Sequence, residues 1–168
     1  MSLIVDGTAG ITYPNSTVQA SAGVVLQVVS TTKNDAFSTA STSFVDVTGL
    51  SVSITPKFTT SKILVIVNMQ VSAPSNNFMP VNLVRNTTAI AQPASGTYPS
   101  SMHGYPGDIS DGSSLFSIGM NYLDSPANTS ATTYKIQTYV TSGTGYVNTR
   151  SGSGGNQIST ITLMEIAG

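Results

Sequence analysis

What most constrains this chain is its rhythm. Short β-rich runs follow one another, broken by clusters of Gly, Pro, Asn and Ser, and helical periodicity is missing nearly everywhere. The runs predict strands over residues 24–31, 43–55, 62–72, 79–85, 88–92, 114–123, 132–141 and 158–166. Such a train with no helix between its members predicts an all-β, antiparallel β-sandwich or jelly roll. Ile63 to Val67 is apolar on both faces and reads as a central, covered strand. Phe116, Ile118, Met120 and Tyr122 alternate with small or polar residues, as do Tyr134, Ile136, Thr138 and Val140. In the 43–55 run the apolar parity switches, from Val45 and Val47 to Leu50, Val52 and Ile54. The switch falls at Thr48-Gly49, where a bulge or a corner between sheets is expected.

Two segments are long for loops, Pro93 to Ser113 and Ser142 to Gln157. Loops of that length in a compact domain are usually functional or mobile. Residues 1–23 have turn residues and isolated hydrophobes without core-forming density, and read as an extended N-terminal arm. Residues 24–168 then form the sandwich, and 168 residues suit one such domain.

Charge narrows the function further. Charged residues are 8% of the chain, against about 25% in ordinary soluble domains. The net charge is −1, and Lys33, Lys57, Lys62, Arg85, Lys135 and Arg150 are scattered. A nucleic-acid partner needs clustered cations, so none is expected. A polybasic membrane patch is excluded likewise, and no apolar run approaches spanning length, so no membrane insertion is expected. There is no cysteine, which removes disulfides, thiolate metal sites and thiol redox chemistry. The Met1 to Asp6 start lacks the features of a signal peptide.

Catalytic constellations are sparse. His103 is the one histidine, within Ser101-Met102-His103-Gly104-Tyr105, and no Gly-x-Ser-x-Gly elbow occurs. It reads as a loop imidazole with a local hydrogen bond, with ligand contact as the alternative. Asp108 and Asp111 stand close together and, with loop carbonyls, could hold calcium. Their spacing matches no EF-hand loop, and Asp beside Gly is ordinary turn chemistry, so no metal and no cofactor is expected. A glycosidase pair drawn from Asp108, Asp111, Asp124 or Glu165 has nothing to mark a raised-pKa acid, so no enzyme is expected. The sequons at Asn15, Asn86 and Asn128 are what chance supplies in a chain rich in Ser and Thr.

The loop aromatics carry more. Tyr98, Tyr105 and Tyr146 offer faces on which sugar rings stack, and His103, Asp108, Asp111 and Arg150 can hydrogen-bond sugar hydroxyls. These residues are the receptor-binding candidates.

Several blocks carry a resemblance. Gly10-Ile11-Thr12-Tyr13-Pro14-Asn15-Ser16-Thr17-Val18-Gln19 resembles the Gly-Ile-Thr-Phe-Pro-Asp-Gly-Thr-x-Gln segment before the head of phage tail-fibre proteins, with Asn15-Ser16 where Asp-Gly is usual. Val25 to Ser30, Phe44 to Leu50, Ser61 to Val65, Tyr122 to Pro126 and Ser159 to Ile166 resemble blocks of a C-terminal head domain in tail fibres and virion proteins of marine and cyanobacterial phages. The likeness covers most of 10–168, and the closing Ile-Thr-Leu-Met-Glu-Ile run is its most specific part.

That family is similar to trimeric C1q/TNF-like jelly rolls, which implies a homotrimer with an apolar seam and no catalytic residues. It implies a virion protein whose partners are other tail or capsid proteins and a host surface polysaccharide. Leu3, Ile4, Val5, Ile11 and Tyr13 of the arm are the virion-docking candidates. The expected role is a tail-fibre or tail-tip head adhering to a host glycan. Since no long shaft precedes the head, capsid decoration or a head fibre gripping the shell by the arm is the alternative.

The trimer is expected on physical grounds as well. Strands apolar on both faces, with few charges about them, should hide one side against copies of themselves and so protect sheet edges.

Overall fold

Burial alternates along most of the strands that the pattern marks out, while residues 79–84 are buried throughout. The computed structural model describes residues 24–105, 114–151 and 157–168, and the backbone strands of 4–6, 10–12 and 18–19. In chain order the strands are β1 (Ile4–Asp6), β2 (Gly10–Thr12), β3 (Val18–Gln19), β4 (Val25–Lys33), β5 (Phe37–Thr39), β6 (Val45–Ile54) and β7 (Lys62–Ser72). There follow β8 (Met79–Arg85), β9 (Thr88–Ile90), β10 (Met102–Gly104), β11 (Phe116–Asp124), β12 (Thr132–Thr138), β13 (Gly145–Val147) and β14 (Ser159–Ile166). There is no helix among the described residues.

The strands form two antiparallel sheets packed as a sandwich. The larger runs β4-β14-β7-β13-β5, with β11 on the other edge of β7; the smaller runs β10-β8-β12-β6, with β9 also on β8. Taken as the eight strands β4, β6, β7, β8, β9, β11, β12 and β14, the first pairs the last, the last the third and the third the sixth. The second pairs the seventh, the seventh the fourth and the fourth the fifth, which is jelly-roll order. Between the sheets, Leu50, Val52, Ile63, Val65, Met69, Met79, Val81, Leu83, Tyr134, Ile136, Ile161 and Leu163 form one buried cluster.

The parity switch in β6 is a bulge. Val47 and Leu50 both point inward, and the pairing with β12 jumps from Gln137↔Asp46 to Lys135↔Ser51. Gly49 lies at φ 84 inside the jump. A methyl there would meet Lys33 only at an ordinary 3.6 Å. Backbone, not space, therefore demands the glycine. Gly49→Ala should destabilise the fold by about 1–2 kcal/mol, read as a lower denaturation midpoint at unchanged slope.

Two differences from the sequence expectation stand out, in the short strands and in β7. β5, β10 and β13 are three-residue strands outside the runs read as strands, each held by an existing edge rather than by its own pattern. β7 is central as expected, but only its inner face is covered: Leu64 is half-buried and Ile66 exposed. Residues 1–23, expected as an extended arm, contain the short strands β1, β2 and β3, paired antiparallel with one another.

The registers also fix which loops share an end. Ser72, Met79, Val45, Thr138 and Phe116 gather at one end, so 73–78, 139–144 and 40–44 all lie there, with Gly104 of β10 beside Met79. At the other end are Val24, the 55–61 and 125–131 loops and Ala167, whose N–H donates to the Val24 carbonyl at 2.9 Å. The chain enters the sandwich from the arm at this second end.

Candidate functional site

β10 sits unusually close to the sandwich. A Cβ on Gly104 would lie 2.7 Å from Val71 Cγ2 and 3.0 Å from the Phe116 ring. Only glycine fits, and with Gly104 pressed inward, His103 and Tyr105 on either side are exposed. His103 pairs with Pro80 of β8 on the outer face of the smaller sheet. Phe78, just before β8, is the ring on which the loops converge. Its centroid is 4.7 Å from Tyr105 in a stacked pair, 5.0 Å from Tyr98 in a tilted one, and 5.8 Å from His103 edge-on. The Phe78 N–H donates to Thr141 Oγ1 at 2.9 Å, which ties this ring to the loop after β12.

A second pair continues the surface. Phe44 and Tyr139 meet edge-to-face at 4.7 Å. The Tyr139 N–H donates to the Pro80 carbonyl. Burial, and then the neighbouring Tyr98, push the Tyr139 phenol above its usual range. Phe44, Tyr139, Pro80 and His103 thus form a row across β6, β12, β8 and β10, with Phe78, Tyr98 and Tyr105 clustered beside it. Tyr98 is 41% exposed and Tyr105 47%. Tyr105 donates its hydroxyl to Asn76 Oδ1 at 3.4 Å, and Asn76 is held in the left-handed region at φ 58. One row further along the same face, Asp46 accepts from Lys135 at 2.8 Å and Gln137 at 2.7 Å. Lys135 first and Gln137 second hold its carboxyl below the usual range.

Of the receptor-binding candidates, the structure brings together Tyr98, His103 and Tyr105. Tyr146 is elsewhere: on β13 it pairs with Ser72 of the larger sheet and is half-buried. Arg150 is exposed on the β13–β14 connection. Asp108 and Asp111 lie outside the described residues. Among the described residues no three His, Asp or Glu side chains gather as a metal site would need.

Phe44, Phe78 and Tyr139 were missed, yet the signal existed. In 132–141, Tyr139 falls opposite in parity to the buried Thr138 and Val140, and Phe78 opposite to the buried Met79. A bulky ring on the outward parity of a strand end marks a surface feature.

Other acids are committed to the fold. Asp124 accepts the Tyr134 hydroxyl at 2.6 Å and Arg85 Nη1 on both oxygens, at 2.8 and 2.9 Å. Glu165 is fully buried and accepts from the Lys57 N–H and the Gln27 amide.

Of the virion-docking candidates, Leu3 and Tyr13 lie outside the described residues, while Ile4 and Val5 are in β1 and Ile11 in β2, where Val5 pairs Ile11. At the end where the arm enters, Val24, Leu26, Phe58, Thr60, Ala167 and Gly168 line an apolar cleft of about 390 Å³.

No protein-family model matches the chain, and no curated protein matches it. Among solved structures, the chain is similar to a chain in the structure of infectious bursal disease virus Gx strain, with a TM-score of 0.40 at 12% identity. The match covers 85% of this chain and 37% of that one.

Proposed function

We propose that the chain is a virion structural protein of the phage-appendage type, a homotrimeric tail-fibre or tail-tip head that adheres to a host cell-surface glycan. The observation that supports this most is the separation of the two ends. The arm leads into the sandwich at Val24, whereas the exposed rings of Tyr98 and Tyr105 are at the opposite end. A head held by its arm turns that opposite end outward. Loops on a rigid scaffold are the usual carriers of recognition, and neutral rings beside amides and hydroxyls suit sugars.

The outer face of the larger sheet supports the trimer. Val28, Met164, Leu64 and Leu123 align in register across β4, β14, β7 and β11. Val28 and Leu123 are each 53% exposed. Beside this row, β11 pairs with β7 alone among the described residues, and its Ile118, Met120 and Tyr122 are only partly buried against the core. An apolar row and the β11 edge on one subunit can meet head-to-tail and close as a ring, covering both.

In sedimentation the protein should run as three chains, and Leu64→Asp with Leu123→Asp should run as one with an unchanged β-sheet spectrum. A wild-type single subunit at working concentration would overturn the trimer. For adhesion, an aromatic contact is worth on the order of 1 kcal/mol. Tyr98→Ala with Tyr105→Ala should therefore weaken cell attachment about tenfold or more, with the trimer intact. Unchanged attachment would remove the aromatic end from the reading. Copies at the tail alone agree with a fibre head, while copies across the capsid lattice would favour shell decoration.

A further inference from the structure

The aromatic surface is longer than a single sugar needs. From Phe44 just before β6 to His103 on β10 the row crosses four strands, a span of about 14 Å at the usual strand spacing. Ring contacts run along it: Phe44 on Tyr139 at 4.7 Å, then Tyr98 on Phe78 at 5.0 Å and Phe78 on Tyr105 at 4.7 Å. Phe44 and Tyr139 are half-buried on the sheet face, and Tyr98 and Tyr105 stand exposed beside them.

The charge on this surface is also informative. Among the described residues, no carboxylate, ammonium or guanidinium stands within the row, and the nearest on that face, Asp46, is engaged by Lys135 and Gln137. The polar groups at the margin are neutral: tyrosine hydroxyls, the Asn76 amide and the Thr141 hydroxyl. Acidic sugars would find no lysine or arginine here, whereas the apolar faces of uncharged sugars would find rings, with donors and acceptors beside them for their hydroxyls.

We infer that the row from Phe44 to Tyr105 binds an internal stretch of an uncharged polysaccharide, laid across the strands so that successive sugars meet successive rings. This rests on the adhesive reading above and specifies its ligand.

The test uses the surface polysaccharide of a cell to which the full-length protein attaches, freed of protein and separated into neutral and acidic fractions. The neutral fraction is cut into fragments of one, two, three and more sugars. Binding is expected to the neutral fraction, to change little with salt, and to strengthen about tenfold or more from one sugar to three. Phe44→Leu and Tyr139→Leu keep apolar bulk but remove the rings. These variants should weaken three-sugar binding several-fold.

Binding confined to the acidic fraction and lost with salt would overturn the inference and leave adhesion to glycan standing. So would equal affinity for one sugar and three, with both leucine variants at full strength. Binding to neither fraction would overturn the adhesive reading as well.

Discussion

Asp124→Ala is expected to destabilise the fold by about 3–5 kcal/mol. Asp124 is 5% exposed, on β11 of the larger sheet, and both its partners belong to the smaller: Arg85 on β8 and Tyr134 on β12. The three side chains clamp the sheets at the end where the arm enters. Burial, and then Asp124, push the Tyr134 phenol far above its usual range, so it remains a donor at any working pH. Truncating Asp124 leaves a buried hydroxyl without its acceptor and a guanidinium without its counter-charge. Tyr134→Phe removes one donor and keeps the ion pair, so it should cost only about 1–2 kcal/mol. Urea unfolding of both single variants and the double variant measures the coupling, since contacting residues should not add. A loss under about 1 kcal/mol for Asp124→Ala would mean that the sheets are held by apolar packing alone.

Glu165→Ala is expected to cost on the order of 3 kcal/mol, because several donors lose a buried acceptor together. Its Oε1 takes the Lys57 N–H at 2.6 Å and its Oε2 the Gln27 amide, which also donates to the Thr55 carbonyl at 2.8 Å. Burial alone would raise this carboxyl. The Ser61 hydroxyl alongside, the Gln27 amide and the N–H groups of Lys57 and Phe58 outweigh that and hold it below the usual range. A carboxyl whose folded pKa is depressed contributes stability above the ordinary glutamate value, about 4.3. That contribution is lost as the pH falls through the depressed folded value. The wild type should therefore lose stability on acidification below about pH 4, and Glu165→Gln should lose less over the same window. Equal slopes in the two proteins would assign the acid sensitivity to other carboxylates, Asp46 foremost.

The sandwich was legible where burial on one face writes itself into alternation. β11 and β12 could be read from period two alone, and the β6 bulge from a change of parity at one glycine. Strands held by a neighbour's edge were not legible. Gly145-Tyr146-Val147 and Met102-His103-Gly104 have no pattern of their own, and their partners are far away in sequence. The aromatic site was half legible for the same reason. Tyr98, His103 and Tyr105 stand out as loop rings, but Phe78, which joins them, comes from a different connection and meets them only through the register of β8 with β10. Asp124 and Glu165 read as loose acids because their partners, Arg85 with Tyr134 and Gln27 with Lys57, converge only in the fold.

The hydrogen bond between Ala167 and Val24 makes the sandwich a portable cassette. Its first and last residues are neighbours, so it can be spliced into a surface turn of another protein without spreading the host's backbone. Cargo fused at either terminus would emerge on the side away from the rings. A display particle carrying such grafts would present the aromatic end to its target, with both splice points behind it.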